Sequence, residues 1–424
     1  MSINAPENFN TKSNSAKKNR MRVWVGWALL LLALVGFLGV TVFLNVREHH
    51  EQQFVFLARS FQHGDMAFQE VPGESWADTS VYRDRYYWPL GPAPAVVLMP
   101  FEFAASTFGA FFYQGYLQPL LVLALLGLIY RVARVTGYTS EDSGYLAFGF
   151  AFATAFLGVG MWPWSWYFSQ VTTCVLLFAA IAEMIGRHRS WVLGVLFALV
   201  LATRATAVFG LLWCIGETLG RREPWKKKLG PLVAIVIPVM IVAAMLSAYN
   251  YARFHDPFDQ GYAEQIIPPH AAAGRALGIV SMQHLPGNLY TLLLAAPNPV
   301  RRDDVSPVLA FPYVVANPWG MSIWVTSPLF LYLLGLRHRD DRSLLLLLSS
   351  FVIAVPILLY YGIGFRQFGY RYSLDFLPFL YYLLLRNYRH QRGNLTAGFK
   401  AVVLLSALWN LYLFAGHFVW RVGW

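Results

Sequence analysis

Three carboxylates stand out as groups that could take up a proton during a reaction. Glu48 and Glu51 follow the first apolar block, in the run Glu48-His49-His50-Glu51, three residues apart on one helical face. Asp78 comes later, before a stretch rich in Tyr and Pro. The alternative for the two glutamates is a solvated helix end with ordinary interfacial charges. A metal site at His49-His50-Glu51 lacks an evident third or fourth ligand, so no cofactor is indicated and a divalent metal is left open.

Arginines near the ends of apolar blocks are candidates for binding an anion. Arg366 and Arg371 flank an aromatic-Gly turn, and a guanidinium offers the forked donors that suit a phosphate. Arg204 lies inside an apolar stretch, where a charge is costly and requires either a nearby acid or a bound ion. Asp375 follows Arg371 by four residues, which predicts an ion pair between these two side chains.

Aromatic residues are concentrated just after Asp78. Tyr82, Tyr86, Tyr87 and Trp88 precede a run of prolines that favours extended backbone before an apolar helix. Such a group forms either a belt at the membrane interface or a platform for a sugar ring or an isoprenoid chain.

The elements that position these residues are apolar helices. Of the 424 residues, 57% are hydrophobic and only 13% are charged, with a mean hydropathy of +0.46. Apolar blocks of about 17–24 residues match the thickness of a bilayer, which predicts a polytopic membrane protein. Cys174 and Cys214 each lie in an apolar block and are interpreted as buried hydrophobic residues, with neither a disulfide framework nor a zinc site.

The net charge of +11 is explained by topology. Basic clusters recur between the apolar blocks, and the positive-inside rule places them in the cytoplasm with the N-terminus. No nucleic-acid partner is then needed to explain the charge; the partner is the lipid bilayer. The fold class predicted is an all-α polytopic membrane protein with about eleven transmembrane helices and the C-terminus outside. The predicted spans are 24–45, 113–130, 143–160, 166–186, 191–203, 205–219, 230–252, 321–336, 343–361, 373–385 and 398–416.

The chain is predicted to be a basic cytoplasmic tail, 1–22, followed by one integral membrane domain, 23–424. Two outer-face segments, 46–112 and 253–320, are too long to be bare connectors, and their aromatic, Pro and charged content favours ordered structure with interfacial helices. One such helix, interfacial or re-entrant, is predicted at 93–112.

Three stretches together resemble the GT-C class of membrane glycosyltransferases, with protein O-mannosyltransferase and lipid A aminoarabinose transferase relatives as the nearest groups. The first is the acidic, Tyr-rich and Pro-rich stretch from Asp78 to an apolar helix. The second, 249–262, is similar to the Asn–x–x–Arg-Phe–x–x-Pro-Phe–x–x-Gly-Tyr stretch of bacterial members, and the third, 365–378, to their Phe-Gly-x-Arg-Tyr segment. For the substrate cavity the resemblance indicates Tyr82, Tyr86, Tyr87, Trp88, Arg253, Asp256, Tyr262, Tyr370 and Asp375.

The resemblance implies an inverting transferase whose sugar donor is linked to polyprenyl phosphate at the outer face of the cell (inner) membrane. The acceptor, a lipid, a glycan or a protein, gives up a proton to a carboxylate as it attacks the anomeric carbon. The leaving lipid phosphate is expected to contact Arg366 and Arg371, with Arg204 as a further candidate.

The catalytic base is the least determined part of this interpretation. Family members carry an Asp-Glu pair at the end of the first span, whereas this chain has Glu48-His49-His50-Glu51 there. Asp78 and Glu51 therefore rank nearly equal as the base, with Glu48 third. A transporter or flippase of a lipid-linked or polar substrate is the alternative function, although its ionisable residues would be expected near the bilayer midplane.

Overall fold

The computed structural model describes residues 9–69, 78–303 and 305–420, and most of these are helical. The α-helices are α1 Phe9–Arg47, α2 Gln53–Gln62, α3 Ala93–Ser106, α4 Gln118–Val135, α5 Ser140–Phe152, α6 Phe156–Met161, α7 Ser165–Ile185, α8 Ser190–Leu201, α9 Leu211–Leu219, α10 Trp225–Phe254, α11 Pro269–Ala276, α12 Leu285–Leu293, α13 Ile323–Thr326, α14 Leu331–Leu334, α15 Asp341–Leu358, α16 Leu377–Arg392 and α17 Ala397–Phe414. The strands are β1 Ser80–Tyr82, β2 Arg85–Tyr87, β3 Asn298–Arg301 and β4 Leu309–Val315.

Within the described ranges, six helical segments are long and apolar enough to cross a membrane. They are Trp24–Arg47, Gln114–Val135, Ser165–Ile185, Trp225–Phe254, Asp341–Leu358 and Ala397–Val419. Each coincides with a predicted span, so the multi-pass character is confirmed. The other five predicted spans correspond to shorter or interrupted helices, and the count of about eleven therefore stays a prediction. The C-terminal residues 421–424 lie outside the described part of the chain.

The interruptions occur where the sequence cannot continue a helix. Pro328 lies between α13 and α14, and a proline has no N–H to donate within a helix. After α8 the backbone of Arg204 is extended, with φ −145° and ψ 106°, before a 3₁₀ turn at Ala205–Gly210 that leads into α9. The predicted break at Arg204 is confirmed, and it turns the chain at the wall of a cavity that is described below.

A packed aromatic core holds the spans together. Phe150 of α5 lies 4.7 Å from Phe178 of α7 and 5.1 Å from Tyr381 of α16, between ring centroids. The Tyr381 hydroxyl donates to the Leu146 carbonyl at 2.6 Å. Close packing of this kind resists deformation, so we expect α5, α7 and α16 to hold fixed positions relative to one another.

The first outer segment contains two helices, in line with the interfacial helices predicted for it. In α2, Phe54, Leu57 and Ala58 are fully buried on one face. The helix predicted at 93–112 is α3, which ends at Ser106. Arg59 of α2 forms an ion pair with the buried Glu102 of α3, and this pair joins the two helices.

The mostly helical character predicted from the sequence is confirmed, and the outer segments also contain two antiparallel hairpins that were not predicted. In the first, Ser80 pairs with Tyr87 and Tyr82 with Arg85, around a turn whose two central residues have positive φ. The second joins β3 and β4. The β-branched and aromatic residues in these strands of three to seven residues favour extended backbone, a signal that is weak over such short runs.

Candidate functional site

Two cavities lie side by side, and Asp78, which precedes the first hairpin, lines both of them. One has a volume of 350 Å³ and is named the aliphatic cavity, because its walls include five aliphatic side chains: Leu201, Leu246, Ile279, Val280 and Ile357. The other, of 550 Å³, is named the aromatic cavity after its own walls: Trp164, His270, Trp319, Tyr361 and Phe365. Five residues line both cavities and therefore mark their junction: Asp78, Trp166, Tyr360, Arg371 and Tyr372.

Asp78 is held at this junction by its backbone and by its side chain. Its N–H donates to the Ile266 carbonyl at 3.0 Å, and its φ of 66° is in the left-handed region, which Asp tolerates better than most residues. Gln265 Nε2 donates to Asp78 Oδ1 at 3.2 Å. Burial raises the pKa of Asp78 above the usual aspartate range, and the neighbouring Arg371 opposes that rise. A carboxylate of raised basicity at a cavity wall is suited to accept a proton.

Arg371 is the cation of the junction. It is 7% exposed, and it forms no ion pair with any carboxylate in the described part of the chain. Its guanidinium donates to neutral atoms, Gln170 Oε1 at 3.4 Å and the Tyr372 hydroxyl at 3.3 Å, and lies 4.5 Å from the Tyr372 ring centroid. A buried guanidinium without an acidic partner favours an anion in the adjoining cavity.

The predicted pairing of Asp375 with Arg371 is wrong. Asp375 instead accepts two hydrogen bonds from Arg204, from Nε at 2.6 Å and from Nη2 at 3.0 Å, and a third from the Thr206 hydroxyl at 2.6 Å. The reason is that Arg371–Asp375 is a 3₁₀ turn. With three residues per turn, positions four apart lie on different sides, so the two side chains diverge. Arg204 lines the aliphatic cavity with its charge already compensated.

Of the two glutamates, Glu51 lines one of the two cavities described here. It lines the aromatic cavity, and its φ of 57° is stabilised by hydrogen bonds to its carbonyl from the Ser165 hydroxyl at 2.7 Å and from Gln114 Nε2 at 3.0 Å. Glu48 instead accepts from His50, through Nδ1 at 2.7 Å and the backbone N–H at 2.9 Å. Glu48 does not line either of the two cavities.

Arg366 lines the aromatic cavity, as Arg371 does. Its backbone has a φ of 51°, and its carbonyl accepts a hydrogen bond from the Tyr167 hydroxyl. Burial lowers the pKa of His270, which also lines this cavity, and the charge of Arg366 lowers it further. The ring centroids of His270 and Phe365 are 4.2 Å apart, so these two rings together form part of the cavity wall.

The candidates in the second outer segment divide between the cavity and the surface. Arg253 and Tyr262 line the aliphatic cavity. The Arg253 guanidinium donates to the Trp88 carbonyl at 2.9 Å and to Asn250 Oδ1 at 2.7 Å, which ties the end of the hairpin to α10. Asp256 is exposed and accepts from the Phe258 N–H at 2.8 Å, so it stabilises a turn.

The aromatic residues of the hairpin pack behind the cavities and do not line them. Tyr82 and Tyr87 contact Phe254 of α10, at 5.7 and 5.3 Å between ring centroids. Trp88 is fully buried and stacks 6.3 Å from Trp166, which lines both cavities. Tyr86 belongs to the same apolar cluster as Trp88. Tyr370 is also buried, and its hydroxyl donates to Asn288 Oδ1 at 2.8 Å.

The structure adds residues that the sequence analysis missed. Gln265, Trp166 and Tyr372 each contact or form the junction, and none was singled out from the sequence. Tyr372 adjoins Arg371 in the chain, which is a usable signal. A single glutamine such as Gln265 carries no comparable signal, because its role depends on pairing between distant segments.

For a metal, the described residues contain no group of three or more His, Cys, Asp or Glu side chains placed to hold an ion. Asp78 and Glu51 line one cavity, yet two carboxylates without further protein ligands do not make a closed site. The His49-His50-Glu51 run is divided, because His49 stacks 3.8 Å from Tyr113 while His50 bonds to Glu48.

Comparison with known proteins gives two matches, both to solved structures. No family model matches the sequence, and no curated protein matches it. The apo crystal structure of the Archaeoglobus fulgidus oligosaccharyltransferase is 14% identical, with a TM-score of 0.42 over 91% of this chain and 55% of that chain. The Archaeoglobus fulgidus oligosaccharyltransferase AglB, in complex with an inhibitory peptide and a dolichol-phosphate, is 12% identical, with a TM-score of 0.45 over 92% and 56%. The chain spans about half the length of these structures.

Proposed function

We propose that this protein is an inverting glycosyltransferase of the GT-C class, which moves a sugar from a polyprenyl-phosphate-linked donor to an acceptor at the outer face of the membrane. The observation that carries the proposal is the junction of the two cavities, where Asp78 lies with Arg371, a cation that forms no ion pair with a carboxylate in the described part of the chain. The sequence resemblance to GT-C glycosyltransferases supports the same reaction. The donor chemistry, the inner-membrane location and the orientation of the termini are part of this proposal.

The aliphatic cavity is assigned to the lipid end of the donor. Leu201, Leu246 and Ile357 give this cavity apolar walls that suit a lipid chain. Arg371 lines the same cavity at its junction with the aromatic cavity. Arg204 is neutralised by Asp375, and Arg253 lines only the aliphatic one of the two cavities, so Arg371 at the junction is assigned to the phosphate. In this proposal the bond between sugar and phosphate lies next to Asp78.

The aromatic cavity is assigned to the acceptor. An acceptor hydroxyl in it would meet the anomeric carbon at the junction, with Asp78 as the neighbouring base. The hydroxyl oxygen forms the new bond to the anomeric carbon, its proton passes to Asp78, and the bond to the phosphate oxygen breaks. The lipid phosphate departs with the electron pair beside Arg371. One displacement inverts the anomeric configuration.

Asp78 is preferred to Glu51 as the base because of its position. A base must lie within hydrogen-bond reach of the attacking hydroxyl at the moment of transfer. Asp78 lines both cavities, whereas Glu51 lines only the aromatic one, and Glu48 lines neither of the two. Glu51 then contacts the acceptor away from the bond that breaks.

The experiment that tests the function is an assay of donor cleavage. The purified protein, in lipid nanodiscs, is incubated with a panel of polyprenyl-phosphate-linked sugars and a panel of hydroxyl acceptors. We expect one donor to release polyprenyl phosphate in an acceptor-dependent manner and to give a product of opposite anomeric configuration. In proteoliposomes, net movement of an intact lipid-linked sugar across the bilayer, with no release of lipid phosphate, would instead support a flippase.

A further inference from the structure

Gln265 lies between Asp78 and Tyr361 and is hydrogen-bonded to both residues. Its Nε2 donates to Asp78 Oδ1 at 3.2 Å and to the Asp78 carbonyl at 3.1 Å, while its Oε1 accepts from the Tyr361 hydroxyl at 3.2 Å. In the described part of the chain no residue donates a hydrogen bond to Asp78 Oδ2. We propose that Gln265 is a positioning residue, which holds Asp78 through Oδ1 and leaves Oδ2 to receive the acceptor's proton; this rests on the function proposed above.

The backbone around Gln265 is fixed to the backbone around Asp78. Ile266 exchanges hydrogen bonds with this stretch, since its carbonyl accepts from the Asp78 N–H at 3.0 Å and its N–H donates to the Thr79 carbonyl at 2.9 Å. The Glu264 carbonyl accepts from the Val81 N–H at 3.0 Å. The segment 264–266 therefore lies beside the first hairpin like an added strand. This pairing brings Gln265 from the second outer segment to a carboxylate of the first.

The two oxygens of Asp78 that Gln265 contacts determine which way its amide points. A carbonyl and a carboxylate oxygen only accept, so the NH₂ group is directed towards Asp78, and the Tyr361 hydroxyl donates to the amide oxygen. The opposite amide orientation would set the Gln265 oxygen against a carboxylate oxygen, which is unfavourable. Tyr361 is itself anchored, because its N–H donates to the Ile279 carbonyl at 3.0 Å. The chain Tyr361–Gln265–Asp78 thus gives the carboxylate one orientation.

Removing the amide donor should make Asp78 a stronger base, because a hydrogen bond to a carboxylate stabilises its charged form. Other groups that act on Asp78 stay in place in such a variant. They are the cation Arg371, the hydroxyls of Tyr262, Tyr360 and Tyr361, and Glu51 in the shared cavity. The expected upward shift is about one pH unit, the size of one charge-assisted hydrogen bond of modest geometry.

The test measures the protonation of Asp78 without requiring turnover. Infrared difference spectra of the full chain in nanodiscs are recorded against pH, and the Asp78 signal is the carboxyl band that Asp78→Asn removes. In Gln265→Leu we expect this titration to move up by about one pH unit, and in Tyr361→Phe by a smaller amount. Gln62→Leu is the matched control, because Gln62 donates to the Met99 carbonyl at 2.9 Å in a different part of the outer segments.

The outcomes separate this inference from the function on which it rests. An Asp78 titration that is unchanged in both Gln265→Leu and Tyr361→Phe would overturn the positioning role, and Tyr361→Phe alone decides the matter if Gln265→Leu does not fold. Where transfer is measurable, the acid limb of kcat/KM should move with the infrared titration, which a purely structural defect would not cause. A shifted titration with no sugar transfer from any donor would support the positioning role and reject the proposed function.

Discussion

Replacing Arg371 should weaken donor binding without unfolding the protein. Among the described residues the side chain donates only to neutral partners, Gln170 and Tyr372, so its removal leaves none of the described carboxylates without an ion-pair partner. Replacing Arg204 should have a different effect, because it would leave the fully buried Asp375 without its arginine partner. The two arginines line the same cavity, yet replacing Arg371 should mainly weaken donor binding, whereas replacing Arg204 should mainly destabilise the protein.

The size of the binding defect follows from the contact that is lost. A hydrogen bond to a charged group contributes about 1.5–3 kcal/mol, which corresponds to a roughly 10- to 150-fold rise in the Kd of the donor lipid for Arg371→Met. Arg371→Lys keeps the charge and loses the planar fork, so we expect a smaller rise. The midpoint of thermal unfolding should change little in either Arg371 variant.

The assay is a titration of the purified variants with a fluorescent polyprenyl phosphate, alongside thermal unfolding in the same detergent. Arg204→Met is the comparison variant. Its midpoint of thermal unfolding should fall, and this loss of stability should be its main defect. A donor Kd that is unchanged in Arg371→Met, with a folded protein, would refute the assignment of the phosphate to this arginine. The same result in the double variant Arg366→Met/Arg371→Met would remove both predicted arginines from the phosphate site.

Three further predictions follow from individual contacts. Asp375→Ala should destabilise the protein by about 3–5 kcal/mol in chemical unfolding, because it leaves Arg204 as an unpaired buried charge, while a combined Arg204→Met/Asp375→Leu variant should regain most of that loss. Gly261→Ala should lower the midpoint of thermal unfolding, since φ there is +89° and a Cβ would meet the Ser80 hydroxyl at 2.8 Å; a wild-type melting curve would contradict this. A reporter active only outside the cytoplasm should give signal when fused after Trp424, and a silent but stable fusion would show a miscounted span.

The helical part of the fold could largely be predicted from the sequence. Apolar length identifies spans such as α7 and α10, because a bilayer requires about twenty apolar residues in a row. The break at Arg204 was also predictable, since a charge and a Thr interrupt the apolar pattern there. The hairpin β1–β2 was not, because three-residue strands carry little periodicity and are stabilised by pairing with the distant segment 264–266.

The site was predictable in composition but not in its pairings. Asp78, Glu51 and Arg371 were identified from residue type and neighbourhood, and the structure brings them to one cavity. The partner of Asp375 was missed because the prediction assumed α-helical spacing, whereas the real partner, Arg204, is far away in the chain and meets it through packing of the spans. Local periodicity cannot specify a contact of that kind.

The aromatic residues of the hairpin show the same limit. Their number suggested a substrate platform, and the sequence could not tell a surface that faces a cavity from one that faces α10. Tyr87 packs on Phe254, and Trp88 supports Trp166 from behind. Tyr–Trp clusters are therefore assigned to a cavity only when the facing element is known.

The central claim, that Asp78 is the base of a sugar transfer, is tested most directly by comparing Asp78→Asn with Glu51→Gln in the transfer assay. Each variant is measured for release of lipid phosphate at saturating donor, and for donor Kd by titration. We expect Asp78→Asn to lower turnover by about 10²–10⁴-fold with donor Kd nearly unchanged, and Glu51→Gln to have the smaller effect on turnover. Near-normal turnover in a folded Asp78→Asn protein would contradict the account.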